Sequence, residues 1–149
     1  MLNRPEVVSP STALLAGAQE LGAILVPCGF AFALVDEGQS SGGQFASGAF
    51  CRDNRQLELH FRFSLGLVSY QVGDWRLSHQ DYVRAVRELH GGGRASYPGF
   101  ASEPIAAFID LRHDLEQFGE IFLNGEDPNF RDLTDWVSTH PLPRGVNAS

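Results

Sequence analysis

The chain has 149 residues with 43% hydrophobic and 19% charged content, the balance of one ordinary globular domain rather than a disordered chain. It contains no lysine: all eleven basic residues are arginine, and the net charge is −7. Residues 1–99 carry eight basic and nine acidic side chains and residues 100–149 three and nine, so the acidic C-terminal half argues against nucleic acid and anionic membrane as partners.

Met1 to Val8 reads as a loose arm or edge segment. Ser9-Pro10 has the form of a helix N-cap and first turn. Leu14, Leu15, Ala18 and Leu21 then give an apolar stripe, and Gly22 is the expected terminator. After Pro27, Cys28 to Asp36 reads as a strand with apolar residues on both sides, as expected of a strand buried on both faces. Glu37 to Gly43 reads as a flexible hairpin connection. It lacks the Gly-Lys-Ser/Thr of a phosphate loop and leads into a strand, not a helix, so no nucleotide cofactor is expected.

Gly43 to Val72 is the clearest stretch. Asp53-Asn54 is a two-residue turn between arms of strand-like composition. Pairing outward from it sets Arg52 against Arg55, Phe50 against Leu57, Gly48 against Leu59, Ser47 against His60 and Ala46 against Phe61. One face is then wholly apolar; the other carries Glu58, His60 and Arg62 in a row with Ser47 opposite His60. The like-charged Arg52/Arg55 pair is expected to sit at an exposed tip at little cost. The apolar period runs on to Leu67 and then changes phase. That predicts one long strand with a bulge at Gly66, in preference to a second turn.

Gly73-Asp74 is a further tight turn, and Trp75 to Leu77 a short fourth strand. Ser78 begins a helix with Asp81 at the third position and an inner stripe of Tyr82, Val83, Val86 and Leu89, ending at Gly91. A loop with Tyr97 and Phe100 around Pro98-Gly99 follows. A long helix is predicted from Ser102 to Asn124, carrying Phe108, Leu111, Leu115, Phe118 and Phe122. Asp127-Pro128 reads as a turn, 129–137 as a short helix, and the tail from Ser138 as loose. The expected architecture is a single α+β domain: an antiparallel sheet of three to four strands with helices packed on one face.

Candidate chemistry is sparse. None of the five histidines has metal-ligand spacing, and no metal or other cofactor is expected. Glu58, His60 and Arg62 with Ser47 would suit a binding face better than a catalytic one, because nothing nearby completes a mechanism. His79 lies at a helix start, where capping and solvation explain it. Asp110, His113, Asp114 and Glu116 share a helix and read as a solvated face. Cys28 and Cys51 are expected to be reduced and buried, and the absence of a signal-peptide pattern or long apolar run makes the cytoplasm the expected compartment.

The strings SGGQFASGAF, LELHFRFSLGLVSY, LSHQDY and YPGF, spread over roughly Ser40 to Phe122, resemble in layout small bacterial proteins of the immunity type found beside polymorphic toxins. That resemblance implies an acidic α+β domain that binds and blocks another protein without catalysis. It carries no functional residues onto this chain. The leading expectation is therefore a non-enzymatic protein-binding domain. The alternative is a small-molecule-binding or hydrolytic domain with a pocket between the sheet and the Gly91–Phe100 loop, holding His60 or His79 beside Tyr97. The third reading is a homodimer formed by sheet pairing or by exposed phenylalanines.

Overall fold

The computed structural model describes residues 9–40, 43–62, 65–97 and 104–141. Helix α1 (Pro10–Leu25) opens as expected: the Ser9 side chain accepts from the Thr12 N–H at 3.2 Å, with Pro10 in the first turn. It does not stop at Gly22 but runs to Leu25, whose carbonyl accepts from the N–H groups of Cys28 and Phe30, and Gly29 turns the chain at φ +93°.

Five strands follow: β1 (Ala31–Ser40), β2 (Gly43–Arg52), β3 (Arg55–Phe61), β4 (Leu65–Val72) and β5 (Trp75–Ser78), an antiparallel meander in the order β1-β2-β3-β4-β5. The β2–β3 register is the one read from the sequence, from Arg52↔Arg55 to Ala46↔Phe61, with Asp53 in the turn at φ +52°. The Gly73-Asp74 turn also forms, pairing Val72 with Trp75.

Three expectations fail in instructive ways. The strand expected over Cys28–Asp36 begins at Ala31 and lies at the sheet edge, paired on one side only. Val35 is 69% exposed, so an apolar strand here is not a buried one. Glu37–Gly43 is not a flexible connection throughout, because β1 continues to Ser40 and pairs with Gly43. The long strand is in fact two strands, β3 and β4, and this makes five strands where three to four were expected. The bulge exists too: His60 on β3 is opposed by both Gly66 and Leu67 on β4, which accounts for the change of phase. The joining residues 63 and 64 lie outside the described residues.

The remaining helices are α2 (His79–His90), α3 (Pro104–Phe118), α4 (Glu120–Asn124) and α5 (Asp127–Thr139). Ser78 caps α2 through the Asp81 N–H at 3.1 Å, as expected, and Gly91 ends it at φ +86°. Leu89 does not join the inner stripe; it is exposed. Asp127-Pro128 is the first turn of α5 rather than a turn before it, and Ser138 and Thr139 belong to that helix. Ser102, the expected start of α3, lies outside the described residues, as do 1–8 and 142–149.

The helices cover one face of the sheet. Phe50, Leu57, Tyr70 and Leu77 form a cross-strand row on that face, backed by Leu59 and Val68, and the helices supply Leu14, Leu21, Phe108, Phe122 and Phe130. α1 and α3 approach closely because Gly17 faces the Phe108 ring: an added Cβ would stand 2.2 Å from it.

The helix expected over Ser102–Asn124 is broken at Gly119, and a side chain shares in the break. The buried Tyr82 hydroxyl donates to the Phe118 carbonyl at 2.7 Å and accepts from the Phe122 N–H at 3.2 Å. It is spliced between the two groups that an unbroken helix would join directly. Burial pushes this phenol well above its ordinary pKa, so it keeps the proton it donates. Tyr82→Phe is expected to cost about 1–3 kcal/mol, since both backbone groups lose their partner out of reach of water. Urea denaturation checks this; a loss under about 0.5 kcal/mol would mean that α3 and α4 close the gap by themselves.

Candidate functional site

The second sheet face has no helix over it among the described residues. Its cross-strand rows run Ala31, Cys51, Gln56, Gln71, Arg76, then Ala33, Ala49, Glu58, Ser69, Ser78, then Asp36, Ser47, His60. Small residues form its centre. Two bulges fall on the third row. Val35 is the extra residue of β1 beside Ser47, and Leu67 of β4 beside His60; they are 69% and 74% exposed.

Strand alternation therefore places Ser47, Glu58, His60 and Arg62 together, as the sequence implied. Their partners say what they do. Glu58 forms an ion pair with Arg76. Arg62 donates to the Gly43 carbonyl at 3.0 Å and lies over the Phe45 ring at 5.8 Å. The His60 ring stacks on the same Phe45 at 5.6 Å. Phe45 thus carries a histidine and a guanidinium, a half-buried aromatic and cationic pile on a surface whose centre is small residues.

In the third row Ser47 stands between Asp36 and His60, whereas a catalytic serine needs the imidazole between itself and the carboxylate. No hydrogen bond joins Ser47 to His60 among the described residues. Neither cysteine is buried as expected: Cys28 is half-buried and Cys51 exposed. Partial burial and the nearby Glu58 carboxylate push the Cys51 thiol up, away from the reactive thiolate.

His79 and Tyr97 are elsewhere. They stand side by side, ring centroids 5.6 Å apart, on the covered side of the sheet, and both are buried. His79 Nδ1 meets the Tyr70 hydroxyl at 2.8 Å and Nε2 meets Asp114 Oδ2 at 2.8 Å. Asp114 also accepts from the N–H groups of Ser96 (2.6 Å) and Tyr97 (2.9 Å), and the Tyr97 hydroxyl donates to the Leu65 and Gly66 carbonyls. A proton on Nε2 satisfies Asp114 and leaves Nδ1 to accept from Tyr70. The Tyr70 phenol, pushed well up by burial and further by Tyr82 and Asp114, stays protonated to donate.

This network differs from what the sequence pattern implies: His79 is not a solvated first-turn residue, and Asp114 is not part of a solvated face. Of that helical group, only His113 and Glu116 are exposed, 3.4 Å apart; Asp114 is 1% exposed. The available signal was helical spacing: His79 lies three and four residues before Tyr82 and Val83, on the buried face of α2. Its acceptor, 35 residues on, has no local signature. Of the two histidines expected beside Tyr97, His79 is there and His60 is not, because it lies on the other face of the sheet; residues 98–100 of the loop lie outside the described residues.

Among the described residues no group of three or more His, Cys, Asp or Glu side chains could hold a metal ion, and no helix is long and apolar enough to cross a membrane. No protein-family model, curated protein or solved structure matches the chain.

Proposed function

We propose that the protein is a non-enzymatic protein-binding domain that receives its partner on the open sheet face. The observation that carries this reading is the third row of that face. Exposed Val35 and Leu67 bracket Ser47 and His60, and the Phe45 pile adjoins them. Apolar and aromatic anchors on a surface of small residues are what a protein contact uses, and the order of Asp36, Ser47 and His60 does not serve catalysis. The net charge of −7 suits a basic partner. A bacterial, cytoplasmic, immunity-like role, with a toxin as the bound protein, is the biological form of this proposal. A small-molecule pocket over His79 and Tyr97 has less support, because both rings are packed into the core.

Leu67→Glu tests it. The exposed bulge residue can change with little effect on stability, and capture of a stoichiometric protein partner from the native host is expected to fall at least roughly tenfold. Capture unaffected by Leu67→Glu, or a well-folded wild-type chain that yields no partner, would overturn the reading.

A further inference from the structure

The two edges of the sheet are unlike. β5 is four residues long, carries Arg76 and leads directly into α2. β1 is ten residues long, and its first half, Ala31–Val35, has no charge and no proline. Short, charged edges resist pairing with other chains, and long uncharged ones invite it.

The backbone of β1 specifies what could pair there. The two-residue turn at Asp53-Asn54 makes Arg52↔Arg55 the hydrogen-bonded pair that closes the β2–β3 hairpin. Counting along β2, Cys51 and Ala49 then bond to Ala31 and Ala33, so Phe32 and Leu34 direct their N–H and C=O groups outward. No hydrogen-bond partner takes those groups among the described residues.

We infer that β1 pairs antiparallel with β1 of a second copy of this chain, about a two-fold axis at Ala33. In this register Ala33 faces Ala33 of the second copy, and the outward backbone groups of Phe32 meet those of Leu34. Ala31 faces Val35. Every opposed pair is apolar, and each keeps its own side of the sheet. Ala33 at the axis is a close, non-hydrogen-bonded pair, which needs a small side chain.

The flanking charge also fits a second copy. The acidic residues next in line, Asp36 and Glu37, fall opposite Phe30 and Gly29 of the other chain, not opposite each other. There the Arg52 guanidinium lies 4.7 Å from the Phe30 ring centroid, and an added Cβ on Gly29 would stand 3.0 Å from the Arg52 side chain. An unrelated basic strand would find acidic partners only at one end of β1. The second copy answers both halves of the edge, and isologous pairing of this kind closes as a dimer. The two five-stranded sheets become one of ten strands.

The test is the mass of the full chain by light scattering across roughly 1–100 µM, under reducing conditions because Cys51 is exposed. A dimer of twice 16.3 kDa is expected. Ala33→Lys sets like charges against each other at the axis and should weaken the dimer at least roughly tenfold, while far-ultraviolet circular dichroism stays native. Leu67→Glu, which tests the open face, should leave the dimer intact, so the two proposals fail separately. As a second reading, Ala33→Cys in a Cys51→Ser background should oxidise to a disulfide-linked dimer, because close pairs of this type bring Cα atoms to about 4.5 Å. The inference is overturned by a chain monomeric throughout, whatever other segment or protein takes the edge. A dimer insensitive to Ala33→Lys, or no disulfide from Ala33→Cys, also overturns it.

Discussion

Asp114→Ala is expected to destabilise the protein by about 3–5 kcal/mol, although nothing in the site proposed above touches it. The carboxyl group is 1% exposed and accepts from three donors: His79 Nε2, the Ser96 N–H and the Tyr97 N–H. Alanine leaves His79 Nε2 and the Tyr97 N–H unpaired where water does not reach, and takes the partner from the part-buried Ser96 N–H. Asparagine keeps the volume but turns an amide N–H towards donors, so Asp114→Asn should cost roughly 2 kcal/mol. Guanidinium denaturation measures both. Hydrogen exchange at the Ser96 and Tyr97 amides separates the mechanism from a general loss of packing: Asp114→Asn should release these two before the strands. A cost below about 1 kcal/mol for Asp114→Ala would mean that the cluster does not clamp the segment after α2 onto α3.

Arg55→Met is expected to cost about 2–4 kcal/mol. Arg55 was expected at an exposed hairpin tip facing a like charge. It is 6% exposed, and the two arginines are held apart by different partners. Arg52 donates to the Cys28 carbonyl, and Arg55 to Phe122 O at 2.6 Å, Ile121 O at 3.3 Å, Gly125 O and Asp127 Oδ1 at 3.0 Å. One guanidinium thus caps the carbonyl end of α4 and holds the start of α5. Methionine keeps the aliphatic stem and removes every donor. Lysine at the same position should recover only part of the loss, since a single ammonium cannot span carbonyls on two sides. Equal stability of Arg55→Lys and wild type would refute the capping role.

The same contact carries a pH dependence of determined sign. Hydrogen bonds from Asn54, and next from Arg55, hold the Asp127 carboxyl below its ordinary value. A group depressed in the folded state stabilises above its unfolded pKa and loses that contribution as pH falls through the folded one. The stability gap between wild type and Asp127→Asn, present at pH 7, should therefore narrow towards pH 3; a gap that widened on acidification would refute the assignment.

What the sequence shows and hides divides along physical lines. The β2–β3 register was legible because alternation and turn chemistry are local and agree, and a slip by one residue would bury Glu58, His60 and Arg62. The burial of β1 was misread because alternation reports which residues are apolar, not whether a neighbouring strand exists to cover them. Leu67 concealed a turn for the same reason: an apolar residue at the expected phase is 74% exposed on a bulge. The polar core around His79 and Asp114 was invisible because its members come from β4, α2, α3 and the segment between the two helices. Tyr82 showed its place in the inner stripe of α2 but not its role in the helix break, since its partners are the backbone groups of Phe118 and Phe122.

The meander has a consequence for how the chain assembles. Each strand pairs with the one before it, so the sheet closes through short loops and little chain entropy is lost at each step. The helical cover is the opposite. Arg55 reaches Asp127 across 72 residues, and Arg112 reaches Glu20 across 92. Contact order is thus split within one small chain, low in the sheet and high in its cover. During synthesis the Phe50–Leu57–Tyr70 row is complete before α3 to α5 exist to shield it. For that interval only α1 and α2 can cover the apolar face, and the part left to α3, α4 and α5 stays open.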